Sequence, residues 1–180
     1  MTTEIIYRET RRRYQWPEVQ LNLWIFIVLV AASTCLGIFA WFMTVQTQMR
    51  LGIPWLFPYG VTVSSLALVF LLIILILAGQ RLLIPGIILL GSFILFVLWL
   101  TLLIETSIQL YGPAANVNGN CETYVQRQAF TGVSVETLQY LTQLNICNCW
   151  RAAFAFEVVG TVFFLYMMVL AWQVQRDDYD

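Results

Sequence analysis

The chain has 180 residues, of which 60% are hydrophobic and 11% are charged, and its formal net charge is −1. Soluble domains are roughly 45–50% apolar and about 25% charged, so the composition excludes an ordinary water-soluble domain of this size, and the lack of a basic excess excludes binding to nucleic acid through a basic surface. All 9 basic residues are arginine, and histidine, the commonest general base and a common metal ligand, does not occur.

The N-terminal tail, residues 1–20, carries a basic cluster just before the first apolar segment. The cluster consists of Arg8, Arg11, Arg12 and Arg13. Arginines in this position mark the cytoplasmic side of a membrane protein, and each contributes about 1 kcal/mol toward binding anionic lipid. The tail is therefore predicted to be cytoplasmic and to contact anionic lipid headgroups.

Four apolar segments follow, each close to the ~20 residues that a helix needs to cross the hydrocarbon core. The predicted spans are residues 21–45, 59–78, 82–104 and 152–172. They predict an all-α fold, an integral membrane four-helix bundle formed as one domain. In the first span, Ser33 and Gly37 form a small-xxx-small pattern, which favours close packing within the bundle.

The distribution of arginine sets the predicted topology. The short link Gly79-Gln80-Arg81 forces the second and third spans into an antiparallel hairpin, and four crossings place both termini on one side. That side carries 6 of the 9 arginines, which predicts cytoplasmic termini. The long loop between helices 3 and 4, residues 105–151, is then extracytoplasmic, and the tail 173–180 is cytoplasmic. The predicted location is the plasma membrane or a secretory-pathway membrane.

Three of the four cysteines, Cys121, Cys147 and Cys149, fall in this loop. An extracytoplasmic compartment is oxidising, so a disulfide is expected. Cys121 is expected to pair with Cys147 or with Cys149, because the last two are too close in sequence to pair comfortably, and one cysteine is left free or bonded to another chain. No metal site is predicted, because three thiols without histidine leave zinc short of a fourth ligand.

A short helix is predicted within the loop, from an N-cap at Ser134 to about Ile146. Its apolar residues recur every three positions, which is typical of a helix that lies on the membrane surface or across the ends of the spans. At the two boundaries of the loop, Glu105 and Arg151 are predicted to form an interfacial ion pair, which would contribute little to stability.

Glu157 is the only charged residue within the fourth span. Ala153, Gly160 and Thr161 share its helical face. Because a face of small residues packs against other helices, Glu157 is predicted to point into the bundle rather than toward lipid.

Two hydroxyls, those of Ser64 and Ser65, enter the second span at a similar depth. We expect Glu157 to be protonated or hydrogen-bonded to one of them. The favoured interpretation is a polar contact that holds helices together, since one acid does not make a transport path. The alternative is a proton or cation site.

Three segments of the sequence resemble MARVEL-like four-helix membrane proteins, especially small fungal ones. They are the hairpin with the third span, RLLIPGIILLGSFILFVLWL, the cysteine-bearing loop after it, and the entry to the fourth span, CNCWRAAFAFEVVGTVFFL. The resemblance covers about residues 21–172. It implies a non-enzymatic role in membrane organisation or vesicle trafficking, through lipid association and helix contacts. Glu157 departs from this resemblance, since it has no place in the family pattern.

The sequence thus favours a structural or organising membrane protein. Its expected partners are membrane lipids, together with other membrane proteins or a second copy of the chain. Two alternatives stay open: a small transporter or channel that uses Glu157 as its coupling group, and an accessory subunit of a larger membrane complex. No catalytic residue or cofactor is predicted, since histidine is absent and no nucleophile motif such as Gly-x-Ser-x-Gly occurs.

Overall fold

The computed structural model describes residues 16, 18–50, 52–80, 84–113, 116–126 and 135–176, and no β-strand occurs among them. The long helices are α1 (Glu18–Gln48), α2 (Leu56–Gly79), α3 (Pro85–Tyr111) and α5 (Val135–Arg176), with the single turn α4 (Val117–Asn120) and a π-helical turn (Cys121–Gln126) between α3 and α5. Each long helix contains a segment that is long and apolar enough to cross a membrane. The predicted all-α four-helix membrane fold is confirmed.

A few residues determine where the helices start and stop. α1 is followed by Arg50, whose φ of 55° is the left-handed conformation that commonly terminates a helix. Pro85 occupies the first turn of α3, where its missing N–H removes no helical hydrogen bond. α3 ends at Gly112, and Pro113 follows it. Proline disfavours the helical conformation in the residue before it, so the end of α3 is encoded locally.

The four long helices form a ring in which neighbours are antiparallel. Both α1 and α3 pack against α2 and against α5, so α2 and α5 lie across a diagonal of the ring. The start of α1, the α2–α3 hairpin and the end of α5 share one end of the bundle, which we call the terminal end. The α1–α2 link, α4 and the π-helical turn share the other end, which we call the loop end.

Three of the four helix interfaces place an aromatic ring directly on a glycine. From one helix to the next, the pairs are Phe39 on Gly60, Phe70 on Gly91 and Trp99 on Gly160. A Cβ atom added at Gly60 would lie 2.6 Å from Phe39 Cδ2, and one added at Gly160 would lie 2.5 Å from Trp99 Cε2. Real Cβ atoms do not approach other atoms so closely, so the absence of a side chain at these positions is what allows the rings to enter the bundle.

The small-residue pattern of α1 faces away from the bundle, and the prediction that it packs inside is wrong. Ser33 and Gly37 are exposed, and a Cβ atom added at Gly37 would meet nothing within 4 Å. The inward face of α1 instead carries Cys35 and Phe39, both 0% exposed. Close approach inside the bundle comes from the glycines of the other three helices.

Gly160→Ala should destabilise the bundle by about 1–3 kcal/mol, the usual effect of forcing extra atoms into a packed core. The matched change Gly37→Ala adds the same methyl group to an open helical surface. It should be neutral or stabilise by up to about 1 kcal/mol, because alanine favours the helix over glycine. Thermal unfolding in detergent, followed by circular dichroism, compares the two variants. Equal effects would contradict the close contact between Trp99 and Gly160.

The segment predicted as a long loop is largely helical. α3 continues to Tyr111, about two turns beyond the predicted end of the third span. α5 is a single helix of 42 residues, about 63 Å long at 1.5 Å per residue and so about twice the hydrocarbon thickness.

The predicted surface helix ending near Ile146 is therefore wrong as a separate element. That segment is the first part of α5, because no glycine or proline interrupts the chain between the start of α5 and Gly160. The proposed N-cap, Ser134, lies outside the described residues. The cysteines of the loop consequently lie on or beside a rigid helix rather than in an irregular loop.

Candidate functional site

Glu157 lies inside the bundle, as its small-residue face predicts. Its side chain is 0% exposed. Ala153, Gly160 and Thr161 are also buried, because residues three or four apart share a helix face. A carboxyl group is thus enclosed among apolar side chains.

Two side chains of α3 contact Glu157. The Thr106 hydroxyl donates a hydrogen bond to Glu157 Oε1 at 3.0 Å. The Trp99 indole N–H donates to the backbone carbonyl of Glu157 at 2.9 Å, and the Thr161 hydroxyl donates to the same carbonyl at 2.8 Å. The second carboxyl oxygen, Oε2, is buried and has no hydrogen-bond partner.

The predicted hydrogen bond from a hydroxyl of α2 to Glu157 is wrong. Ser65 donates to the Val61 carbonyl of its own helix at 2.7 Å, and the Ser64 hydroxyl is buried without a hydrogen-bond partner. The reason is the arrangement of the ring: α2 lies diagonally opposite α5, whereas α3 is its direct neighbour. The depth of the serines was insufficient to identify the partner, because it does not specify which helices are adjacent.

Three of the long helices nevertheless contribute a buried polar side chain to one region of the bundle, which we call the polar layer. Its members are Cys35, Thr106 and Glu157, each 0% exposed. The Cys35 thiol lies 3.9 Å from the carbonyl oxygen of Ala153, one turn before Glu157.

The polar layer contains an acid without a basic partner. Arg151 lies six residues before Glu157, about 9 Å toward the loop end along the helix axis, and its guanidinium binds other groups. Among the described residues, no cluster of three His, Cys, Asp or Glu side chains could hold a metal ion. The chemistry that the layer can perform is to accept hydrogen bonds and to hold a proton.

Two grooves open on the outer surface of the bundle rather than into the polar layer. One, of about 520 Å³, lies between α1 and α2 and is lined by residues that include Ala40 and Val61. The other, of about 330 Å³, lies between α3 and α5 and is lined by residues that include Ile104 and Val158. No member of the polar layer lines either groove.

At the loop end, Cys121 is bonded to Cys147, which decides between the two pairings that the sequence left open. The bond joins the π-helical turn to α5. Val125 completes a small buried apolar cluster with the two cysteines, and Val117 and Leu144 pack against it. This cluster is separate from the core of the bundle.

Cys149 is the free cysteine of the loop end, and it is half-buried. Two residues along a helix turn through about 200°, so Cys149 points away from the side of α5 that carries Cys147. It packs against the core of the bundle. Helix geometry therefore explains why only one cysteine of the Cys-Asn-Cys sequence reaches Cys121.

The predicted ion pair between Glu105 and Arg151 is wrong. Arg151 Nε and Nη2 donate to Asn118 Oδ1 at 3.1 and 2.7 Å, and Nη2 lies 4.0 Å from Glu122 Oε1. Since α3 and α5 are antiparallel, Glu105 lies near the level of Glu157. This level is roughly 9 Å from Arg151 along the helix axis, toward the terminal end. Arg151 instead attaches α4 and the π-helical turn to α5.

The arginine cluster predicted to contact anionic lipid, Arg8, Arg11, Arg12 and Arg13, lies outside the described residues.

Sequence reasoning missed Trp99 and Thr106 as contacts of Glu157. Their spacing of seven residues, which places them on one face of α3, was the available signal, but the apolar segment ends before Thr106.

The chain matches no protein-family model, and no curated protein or solved structure gives a significant match.

Proposed function

We propose that the chain is a non-enzymatic integral membrane protein with a structural or organising role in membrane domains or vesicle trafficking. The observation that carries this proposal is the closed interior of the bundle. Aromatic rings pack directly on the interface glycines, and Trp99 and Thr106 contact the buried Glu157 from α3. A protein built this way acts through its outer surface.

The buried polar groups support the same conclusion because they do not connect into a path. Ser64 and Ser92 are both 0% exposed, and neither hydroxyl has a hydrogen-bond partner in the described part of the chain. A transport route through a membrane protein normally joins several intramembrane polar groups. Here neither serine hydroxyl is bonded to another polar group, so these buried hydroxyls do not form a chain through the bundle.

The outer surface offers two regions for partners. The lipid-facing sides of the helices expose large apolar residues such as Phe26, Leu72 and Leu90, which suit lipid chains and the helices of other membrane proteins or a second copy of this chain. The loop end adds a polar cap, which the Cys121–Cys147 disulfide attaches to α5. In the proposed orientation the cap is extracytoplasmic, both termini are cytoplasmic, and the protein lies in the plasma membrane or a secretory-pathway membrane. The MARVEL-like resemblance also supports this role.

A small transporter or channel is the second candidate, and the buried acid of the polar layer is the observation that favours it. The two candidates differ in where the protein acts: an organising protein acts through lipids and partners, and a transporter acts through Glu157. An accessory subunit would instead co-purify with a larger complex at fixed stoichiometry.

One preparation of proteoliposomes, made of phosphatidylcholine and phosphatidylserine, tests both candidates. We expect brominated phosphatidylserine to quench tryptophan fluorescence several-fold more effectively than brominated phosphatidylcholine, since each basic residue near the surface attracts anionic lipid by about 1 kcal/mol. We also expect no proton, sodium or potassium flux above that of empty vesicles, measured with ion-sensitive dyes trapped inside.

Changing Arg8, Arg11, Arg12 and Arg13 together to glutamine should remove the preference for phosphatidylserine. Arg50→Gln, at the loop end, is the matched control and should retain it. Equal quenching by both lipids in the unmodified protein would contradict the lipid role. A saturable flux that Glu157→Gln abolishes would establish the transporter instead.

A further inference from the structure

We propose that the polar layer is a proton-binding site, in which Glu157 is held as a neutral carboxylic acid. This inference does not depend on the proposed function, because it concerns the state of the bundle interior. It rests on burial, on the groups that surround the carboxyl and on the number of hydrogen bonds that reach its two oxygens.

No positive charge lies near Glu157 among the described residues. The neighbouring helices contribute Cys35 from α1 and Thr106 with Trp99 from α3, none of which carries a charge. An isolated carboxylate buried without a cation or a full set of donors becomes neutral rather than remain charged in an apolar interior.

The nearest ionisable groups strengthen this conclusion. Arg151 is occupied by Asn118 and Glu122 at the loop end. Glu105, next to Thr106 on α3, is itself an acid and supplies no positive charge. Neither group can stabilise a carboxylate in the polar layer.

The hydrogen bonds around the carboxyl lead to the same conclusion. The Thr106 hydroxyl pairs with Oε1, and Oε2 is buried without a hydrogen-bond partner. An ionised carboxylate would present two strong acceptors, and the layer supplies a donor for only one of them.

The carboxyl is enclosed by packed side chains. Trp99 covers Gly160 one turn from Glu157, and the two surface grooves do not reach the carboxyl. The site thus retains its proton as part of the packed bundle, and the amide of glutamine, which is neutral and similar in shape, should replace the acid without loss of the fold.

Infrared difference spectroscopy of the full-length protein in lipid bilayers at neutral pH tests the proposal. Subtracting the spectrum of Glu157→Gln from that of the unmodified protein should leave the C=O stretching band of a protonated carboxyl. Glu105→Gln is the matched control, since Glu105 is partly exposed on the same helix level. The C=O band assigned to Glu157 should persist in the spectrum of Glu105→Gln.

Two changes at Thr106 test its hydrogen bond to the carboxyl without altering the acid. Thr106→Val removes the hydroxyl that pairs with Oε1 and should shift the Glu157 C=O band to higher frequency, whereas Thr106→Ser retains a hydroxyl and should leave the band near its original position. Carboxylate bands in the Glu157 difference spectrum would overturn the proposal. So would failure of Glu157→Gln to fold, or an unshifted band in Thr106→Val.

Discussion

Replacement of Trp99 by alanine should lower the free energy of unfolding of the bundle by about 3–5 kcal/mol, the range for truncating a fully buried tryptophan. Trp99 is 0% exposed. Its ring lies on Gly160, contacts the ring of Phe164 at a centroid distance of 5.6 Å and donates to the carbonyl of Glu157. Truncation would remove all three contacts and leave a cavity between α3 and α5. Chemical unfolding in mixed micelles, followed by circular dichroism, measures the loss.

Two further variants separate the contributions of the ring. Trp99→Phe keeps an aromatic ring on Gly160 but removes the N–H donor. It should lower the free energy of unfolding by about 1 kcal/mol for the lost hydrogen bond, with a further loss because the ring is smaller. Trp172→Ala is the matched surface control, because Trp172 is 54% exposed and its one described ring contact is with Arg176. Its effect should stay below about 1 kcal/mol. A large loss in Trp172→Ala would contradict the assignment of the stabilising contacts to the interior.

Hydropathy predicted the parts of the fold that the bilayer itself dictates. A helix must satisfy its backbone hydrogen bonds within the membrane, so four apolar segments of sufficient length yield four helices. The short link after Gly79 similarly leaves only an antiparallel hairpin between α2 and α3. The inward face of α5 was predictable as well, because Glu157 and Gly160 lie on a face of small residues.

Hydropathy could not predict where the helices end, because it reports contact with lipid and not hydrogen bonding. The third span loses its apolar character near residue 104, yet α3 continues to Tyr111. For this reason Thr106 appeared to belong to a loop, and the hydroxyl that contacts Glu157 was not considered. Ser64 lies on the helix diagonally opposite α5.

The tryptophans show a second limit of sequence reasoning. Their positions near the ends of the spans are typical of rings at the membrane interface, but Trp24 and Trp99 are both fully buried inside the bundle. The Trp24 indole N–H donates to the backbone carbonyl of Phe163 at 2.6 Å. A tryptophan can enter the interior when a glycine or a backbone carbonyl lies opposite it, and the sequence does not specify which residues lie opposite one another.

At the loop end, Cys121→Ser should destabilise the segment from α4 through the π-helical turn by about 2–4 kcal/mol, the typical contribution of a disulfide. The bond closes a separation of 26 residues, part of which is the connection to α5. The apolar cluster around Val125 is small, so we expect the covalent link to be the main attachment of the turn to α5. Hydrogen–deuterium exchange in nanodiscs should show lost protection in residues 117–126 and little change in α1, α2 and α3.

Cys149→Ser is the matched control for this prediction, since Cys149 is free and lies on another side of α5. It should leave exchange in residues 117–126 unchanged, and non-reducing electrophoresis should show the intramolecular bond intact. Arg151 also attaches α4 to α5, through Asn118, so Arg151→Gln combined with Cys121→Ser should release the segment further than either change alone. Protection that survives Cys121→Ser, or is lost in Cys149→Ser, would contradict the role of the Cys121–Cys147 bond as the main attachment of this segment.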